Sequence, residues 1–217
     1  GKYLNAGQTC IAPDYVLADD TIADRFTDLL VTEIANMYGT DASRSADYGR
    51  IINDRHVTRL QGLLDGGGYA AVATGGDVDP AARYIAPTVL TGVAADAPVM
   101  GEEIFGPILP VITYSHGLTE AIEFVNARPK PLALYVFGDG RSADRVLAET
   151  SSGGAAVNHV LFHITVPGLP FGGVGPSGMG SYHGRAGFDT FTHYKSVLRR
   201  TTKPDPSIAY PPYSGWK

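Results

Sequence analysis

The sequence predicts an α/β fold: a mostly parallel sheet flanked by helices, followed by a strand near the C-terminus. Two observations predict it. Apolar stretches of strand length alternate along the chain with amphipathic stretches of helix length. Leu132 to Phe137 is also almost wholly apolar, the pattern of a parallel strand covered on both faces. With 217 residues the chain is long enough to bury a substantial core.

The elements follow in order. Tyr15 to Ala18 reads as a short strand. Asp20 is placed to cap a helix running to about Tyr38, with Ile22, Phe26, Leu29, Leu30, Ile34 and Met37 on one face and Gly39 beyond its end. A second helix is expected from about Asn53 to Leu64, carried by Val57, Leu60, Leu63 and Leu64 and closed by Gly66-Gly67-Gly68. Strands are expected at Ala70 to Ala73, Ile85 to Leu90 and Ile108 to Tyr114. A helix near Leu118 to Ala127 stops before Pro129. After the apolar strand, Ser142 is placed to cap a helix to about Glu149, and Ala155 to Val157 reads as another buried strand. The expected organisation is one main domain over 1–190, an edge or exchanged strand over 191–200, and a Pro- and Tyr-rich extended tail over 201–217.

Composition narrows the function. The hydrophobic fraction is 44% and the charged fraction 18%, as in an ordinary globular protein. The net charge of −5, with no long basic run, argues against nucleic acid and anionic membrane surfaces as partners. No apolar run approaches the roughly 18 residues that span a bilayer. A single cysteine excludes an internal disulfide framework and points to a reducing compartment, the cytoplasm. That cysteine stands ten residues from a first residue that is not Met, which leads us to expect a piece of a longer protein.

Three Gly-rich segments carry the chemistry. The first is Asn5-Ala6-Gly7-Gln8-Thr9-Cys10. A lone Cys is commonly a small buried hydrophobe; Gly7 and Gln8, which do little for a core, tilt Cys10 towards a nucleophile. The second is Gly101-Glu102-Glu103-Ile104-Phe105-Gly106-Pro107. Glutamates are usually just solvated, yet here the pair stands in a rigid turn leading into a strand. A carboxylate so placed suits a ribose diol, since it accepts two hydroxyl hydrogen bonds. The third is Pro170 to Gly180. Its Gly173-Val174-Gly175-Pro176-Ser177-Gly178 matches a dinucleotide fingerprint only formally. Pro176 interrupts it, and no helix of useful length follows. It reads instead as a pocket wall where backbone approaches a ligand. The histidines show no metal-ligand spacing, so no metal is expected. A Cys–His hydrolase or acyltransferase using His159, His163 or His183 remains an alternative, as does a non-catalytic oligomerisation module.

Together these segments resemble the aldehyde dehydrogenase superfamily. Gly7-Gln8-Thr9-Cys10 looks like its nucleophile motif, Glu102 to Pro107 like its cofactor-ribose motif, and Pro170 to Gly180 like its late pocket motif. Cys10 to Tyr15, Lys130 to Tyr135 and Gly178 to Gly184 point to the class 3 and coniferyl aldehyde dehydrogenase branch. The resemblance covers only the C-terminal half of such an enzyme. No residue here matches the family's general-base Glu, its oxyanion-hole Asn or its Rossmann-like coenzyme domain. It implies that Cys10 attacks the aldehyde and that NAD or NADP is the cofactor. Glu103 would then hold the nicotinamide ribose, with Phe105 packed beside it. Leu161, Ile164, Phe171 and His183 would line an entry for aromatic aldehydes such as coniferyl aldehyde, or for medium-chain ones. It further implies that 1–190 is the catalytic domain and 191–200 an oligomerisation strand, with a homodimer of the full enzyme and a fragment inactive by itself.

Overall fold

The computed structural model describes residues 1–205 and 210–213. Among the described residues eight strands lie at β1 (Val16–Asp19), β2 (Ala71–Thr74), β3 (Val78–Asp79), β4 (Tyr84–Ile85), β5 (Thr88–Thr91), β6 (Ile108–Tyr114), β7 (Ala133–Val136) and β8 (Gly154–Val157). The helices are α1 (Asp20–Tyr38), α2 (Asp54–Asp65), α3 (Leu118–Asn126), α4 (Gly140–Glu149) and α5 (Gly184–Thr190).

The central sheet has the order β1-β6-β5-β2. β6 runs parallel to both neighbours, with Val16 opposite Val111 and Thr88 opposite Ile108, and only β2 at the edge is antiparallel. β7 and β8 form a separate parallel pair, and β3 and β4 a short antiparallel one. Val89, Leu90, Ile108 and Val111 of the sheet are fully buried, as are Val57 and Leu60 of α2. The fold is thus the expected α/β arrangement with a mostly parallel sheet.

Several local expectations need correction. α1 is capped by Asp19, whose carboxylate accepts from the Thr21 N–H at 3.1 Å, so Asp20 is already helical. Its buried stripe uses Ala23 and Ile34 with Phe26 and Leu30 packed against the core, while Ile22, Leu29 and Met37 are exposed. A 3.6-residue period permits several stripes, and the sheet selects the narrower one. α4 is capped by Asp139, which accepts from both the Ser142 N–H at 2.9 Å and its hydroxyl. The strand expected from Ile85 to Leu90 is split between β4 and β5, because Pro87 has no N–H to offer a ladder. β7 is not covered on both faces: all four of its residues are only half-buried, and Phe137 beyond it is exposed. Residues 192–200 form no strand within the chain, and Leu198 is 87% exposed. The expected tail falls partly outside the described residues; its described positions are exposed and neither helical nor in a strand.

Candidate functional site

Chain direction places the first two Gly-rich segments together. Cys10 lies six residues before the start of β1, and Glu103 five residues before the start of β6. β1 and β6 are parallel neighbours, so both segments arrive at the amino ends of adjacent strands. This is opposite to the carboxyl-end rule of open α/β sheets.

The nucleophile segment is a sharply wound arm. Asn5, Ala6 and Gly7 all have left-handed backbones, with φ of 53°, 52° and 76°. A turn then closes from the Ala12 N–H to the Thr9 carbonyl at 3.0 Å and presents Cys10 at the surface. The arm is held by named tethers. The Gln8 amide donates to the carbonyls of Asn5 and Arg50, both at 3.0 Å, and its oxygen accepts from the Ile52 N–H at 2.9 Å. Gln8, dismissed by sequence reasoning as useless to a core, is therefore the clamp. The Tyr3 hydroxyl donates to the Thr88 carbonyl at 3.0 Å, and the Tyr135 hydroxyl donates to the Ile11 carbonyl at 2.7 Å. Gly7 rests directly against the backbone of Gly106.

The second segment separates its two glutamates. Arg59 of α2 pairs with Glu102 at 2.7 Å and also donates to the carbonyls of Glu103 and Ile104. The Ile104 N–H donates to Asp14 at 3.0 Å, and the Ile104 side chain is fully buried. Glu102 is thus a structural anchor of the turn. The Glu103 carboxylate has no hydrogen-bond partner among the described residues. Burial lifts it above the usual carboxylate range, Asp14 lifts it further, and Arg59 and Lys2 draw it down. Phe105 has φ of 46° and is 39% exposed, an aromatic face offered at a strained backbone position. An unpartnered carboxylate beside an exposed ring fits a ribose diol and a flat heterocycle.

Beneath them lies Lys2, only 4% exposed. Burial pushes its ammonium down to about 8, against the pull of Asp14 and Glu103. Asp14 is raised by burial and lowered by Lys2 and by its bond from Ile104. Sequence reasoning gave no role to Lys2, Asp14, Arg59 or Tyr135, although Asp14 and Tyr135 stand in segments quoted for the resemblance; Ile104, Glu102 and Ile11, the partners of Asp14, Arg59 and Tyr135, lie far along the chain.

The third segment is tied back on itself. Phe171 and Tyr182 exchange backbone hydrogen bonds of 2.8 and 2.9 Å. This brings Phe171 into stacking with His183, with ring centroids 6.0 Å apart. Leu161, Ile164, Phe171 and His183 are all half-buried. Leu161 has φ of 64° and precedes a 3₁₀ turn, Phe162–Thr165. Within that turn His163 is buried, with neither ring nitrogen hydrogen-bonded, and packs edge-on against Tyr135 at 5.9 Å. Burial lowers its pKa. None of His159, His163 and His183 hydrogen-bonds to the Cys10 sulfur, so the Cys–His alternative finds no pair here. Among the described residues no three His, Cys, Asp or Glu side chains are grouped to hold a metal, and no helix is long and apolar enough to cross a membrane.

Comparison with known proteins adds to this geometry. The model of the aldehyde dehydrogenase family matches residues 1–197. The dimeric NADP-preferring aldehyde dehydrogenase of Rattus norvegicus is 53% identical over 199 residues, covering 91% of this chain and 43% of the rat protein. The 4,4'-diaponeurosporen-aldehyde dehydrogenase of Staphylococcus aureus is 48% identical over 216 residues, covering 99% of this chain and 47% of that protein. A solved structure of the substrate-bound state of Staphylococcus aureus AldH superposes with a TM-score of 0.88 at 47% identity, covering 99% of this chain and 46% of that one. The chain thus spans less than half the length of these relatives. A clamped, surface-presented thiol, an arm packed through Gly7 on the turn that carries Glu103, and a match over nearly the whole sequence lead to one assignment: the chain belongs to the aldehyde dehydrogenase family.

Proposed function

We propose that this chain is the catalytic half of an NAD(P)-dependent aldehyde dehydrogenase that oxidises aromatic aldehydes, such as coniferyl aldehyde, or medium-chain ones. The observation that carries the proposal is the packing of the Cys10 arm on the Glu103 turn through Gly7 and Gly106. It supports a reading in which Cys10 as nucleophile and Glu103 as ribose ligand share one rim. The NADP preference in the rat relative's name supports the cofactor.

In this reading the Cys10 thiolate adds to the aldehyde carbon. A C–S bond forms, and the carbonyl electron pair moves to oxygen, towards the Cys10 N–H. Bound NAD(P) supplies the acceptor for the hydride that leaves the resulting thiohemiacetal carbon. Cys10 then holds the acyl group as a thioester until water releases the acid and regenerates the thiolate. Glu103 fixes the ribose, and Phe105 covers the ring. Leu161, Ile164 and Phe171 supply an apolar wall, which supports bulky or long substrates over small hydrophilic ones.

The general base and the second oxyanion donor are matched by no residue of this chain, so the chain alone is expected to turn over no aldehyde. The full enzyme would be a homodimer. The word dimeric in the rat relative's name supports this, as do the exposed Phe191, Val197 and Leu198.

The test is NAD(P)H formation by the longest native polypeptide carrying this segment, supplied with benzaldehyde or a medium-chain aldehyde. Cys10→Ser is expected to abolish it while leaving cofactor binding intact. Aldehyde oxidation that survives Cys10→Ser, or that the wild type lacks, refutes the reading.

A further inference from the structure

We propose that Tyr135 is a positioning residue: its hydroxyl group fastens the Cys10 turn to β7, where the turn carrying His163 packs against its ring. The inference rests on reading Cys10 as the nucleophile.

Tyr135 stands in β7, 124 residues from Ile11. Its hydroxyl donates to the Ile11 carbonyl at 2.7 Å, inside the Thr9–Ala12 turn and one residue from the thiol. His163, in the 3₁₀ turn that Leu161 precedes, lies against the ring of the same side chain. Two segments some 150 residues apart in the sequence therefore meet on Tyr135.

The phenol is held in place. His163 packs edge-on against its ring at 5.9 Å, and Phe171 lies 6.0 Å beyond His163. Burial pushes the hydroxyl up to about 12, with the nearby Cys10 adding to the rise and the Leu161 N–H opposing it. The group therefore keeps its proton, and its donor role, across the neutral range. Without the hydroxyl the ring would still fill its space, yet the Ile11 carbonyl would be released. The arm carrying Cys10 is wound through three left-handed residues, so its geometry depends on such tethers. A misplacement of about 1 Å between nucleophile and substrate is enough to cost on the order of 100-fold in rate.

The experiment is Tyr135→Phe in the longest native polypeptide carrying this segment, read in two independent ways. The first readout is the rate of Cys10 carbamidomethylation by iodoacetamide, which needs neither aldehyde nor cofactor. It is expected to fall several-fold. The second is steady-state kinetics: kcat with benzaldehyde is expected to fall about 10- to 100-fold, with the KM for NAD(P) unchanged. Replacement of Tyr135 by 3-fluorotyrosine, which keeps the hydroxyl and its bond to Ile11, is expected to restore both readouts. Wild-type alkylation and turnover in Tyr135→Phe overturn the proposal, even if the variant melts at a lower temperature. If Tyr135→Phe does not fold, the 3-fluorotyrosine protein decides by fluorine NMR. A resonance that shifts on Cys10 carbamidomethylation supports the tether, and one that does not move overturns it. Should the wild type oxidise no aldehyde, the dehydrogenase reading fails by itself, and the alkylation readout still decides on Tyr135.

Discussion

Gly7 lies so close to Gly106 that a Cβ built on Gly7 would stand 2.1 Å from the Gly106 carbonyl oxygen and 2.4 Å from its carbon. The nucleophile arm and the cofactor turn are therefore joined backbone to backbone, with no side chain between them. Gly7→Ala should be severe, because the obstruction is rigid backbone and because φ of 76° is itself strained for alanine. A cost of about 3 kcal/mol or more is expected, with a matching loss of aldehyde turnover. Gly106→Ala meets the side-chain end of Leu60 at 2.4 Å instead, at a φ that is not left-handed. It should cost less. Thermal melting of the two variants side by side checks the order; an equally stable Gly7→Ala would show that the two segments do not pack this way.

The neighbouring glutamates should behave differently. Glu102 pairs with Arg59 at a half-exposed site, so Glu102→Gln should lower stability by less than about 1 kcal/mol and leave the KM for NAD(P) unchanged. Arg59 keeps its bonds to the carbonyls of Glu103 and Ile104 in that variant. Glu103→Gln removes the carboxylate that accepts two hydroxyls and should weaken NAD(P) binding about tenfold or more, with little change in stability. Cofactor titration followed by protein fluorescence separates the two. Equal effects from both substitutions would remove Glu103 from the cofactor site.

His163 should make the wall sensitive to acid. It is 9% exposed, both its nitrogens lack partners, and burial holds its pKa below the usual 6.5. The unfolded chain therefore takes up the proton first as pH falls. The stability associated with neutral His163 is complete above pH 6.5 and is lost as pH falls through that value towards the folded pKa. No charged group of the packed neighbours, which are Tyr135, Gly154 and Phe171, offers the imidazolium a partner. His163→Phe should flatten the fall in melting temperature between pH 7 and pH 5. An unchanged slope would mean that another group drives it.

Much of this was legible in the sequence because the relevant physics is local. The spans of α1 and α2 and the whole of β6 follow from periodicity, terminal glycines and apolar runs. Cap positions erred where two eligible residues stood near each other, as with Asp19 and Asp20, or Asp139 and Ser142. The choice depends on which backbone leaves the helical region first. The buried stripe of α1 was misjudged because the sheet decides which of several apolar residues face inwards.

The sequence by itself determined the α/β class, the three Gly-rich segments and Cys10 as the reactive candidate, since each rests on residue type and short spacing. Only the tertiary structure decided what those residues touch. It assigned Glu102 to Arg59 and left Glu103 unpartnered among the described residues, buried Lys2 beneath them, made Gln8 a clamp and tied Tyr135 to Ile11. Each of these contacts joins residues roughly 40 to 120 positions apart. They exist because β1 and β6 pair in parallel and carry their leading loops to one rim, a relation that no short window of sequence contains.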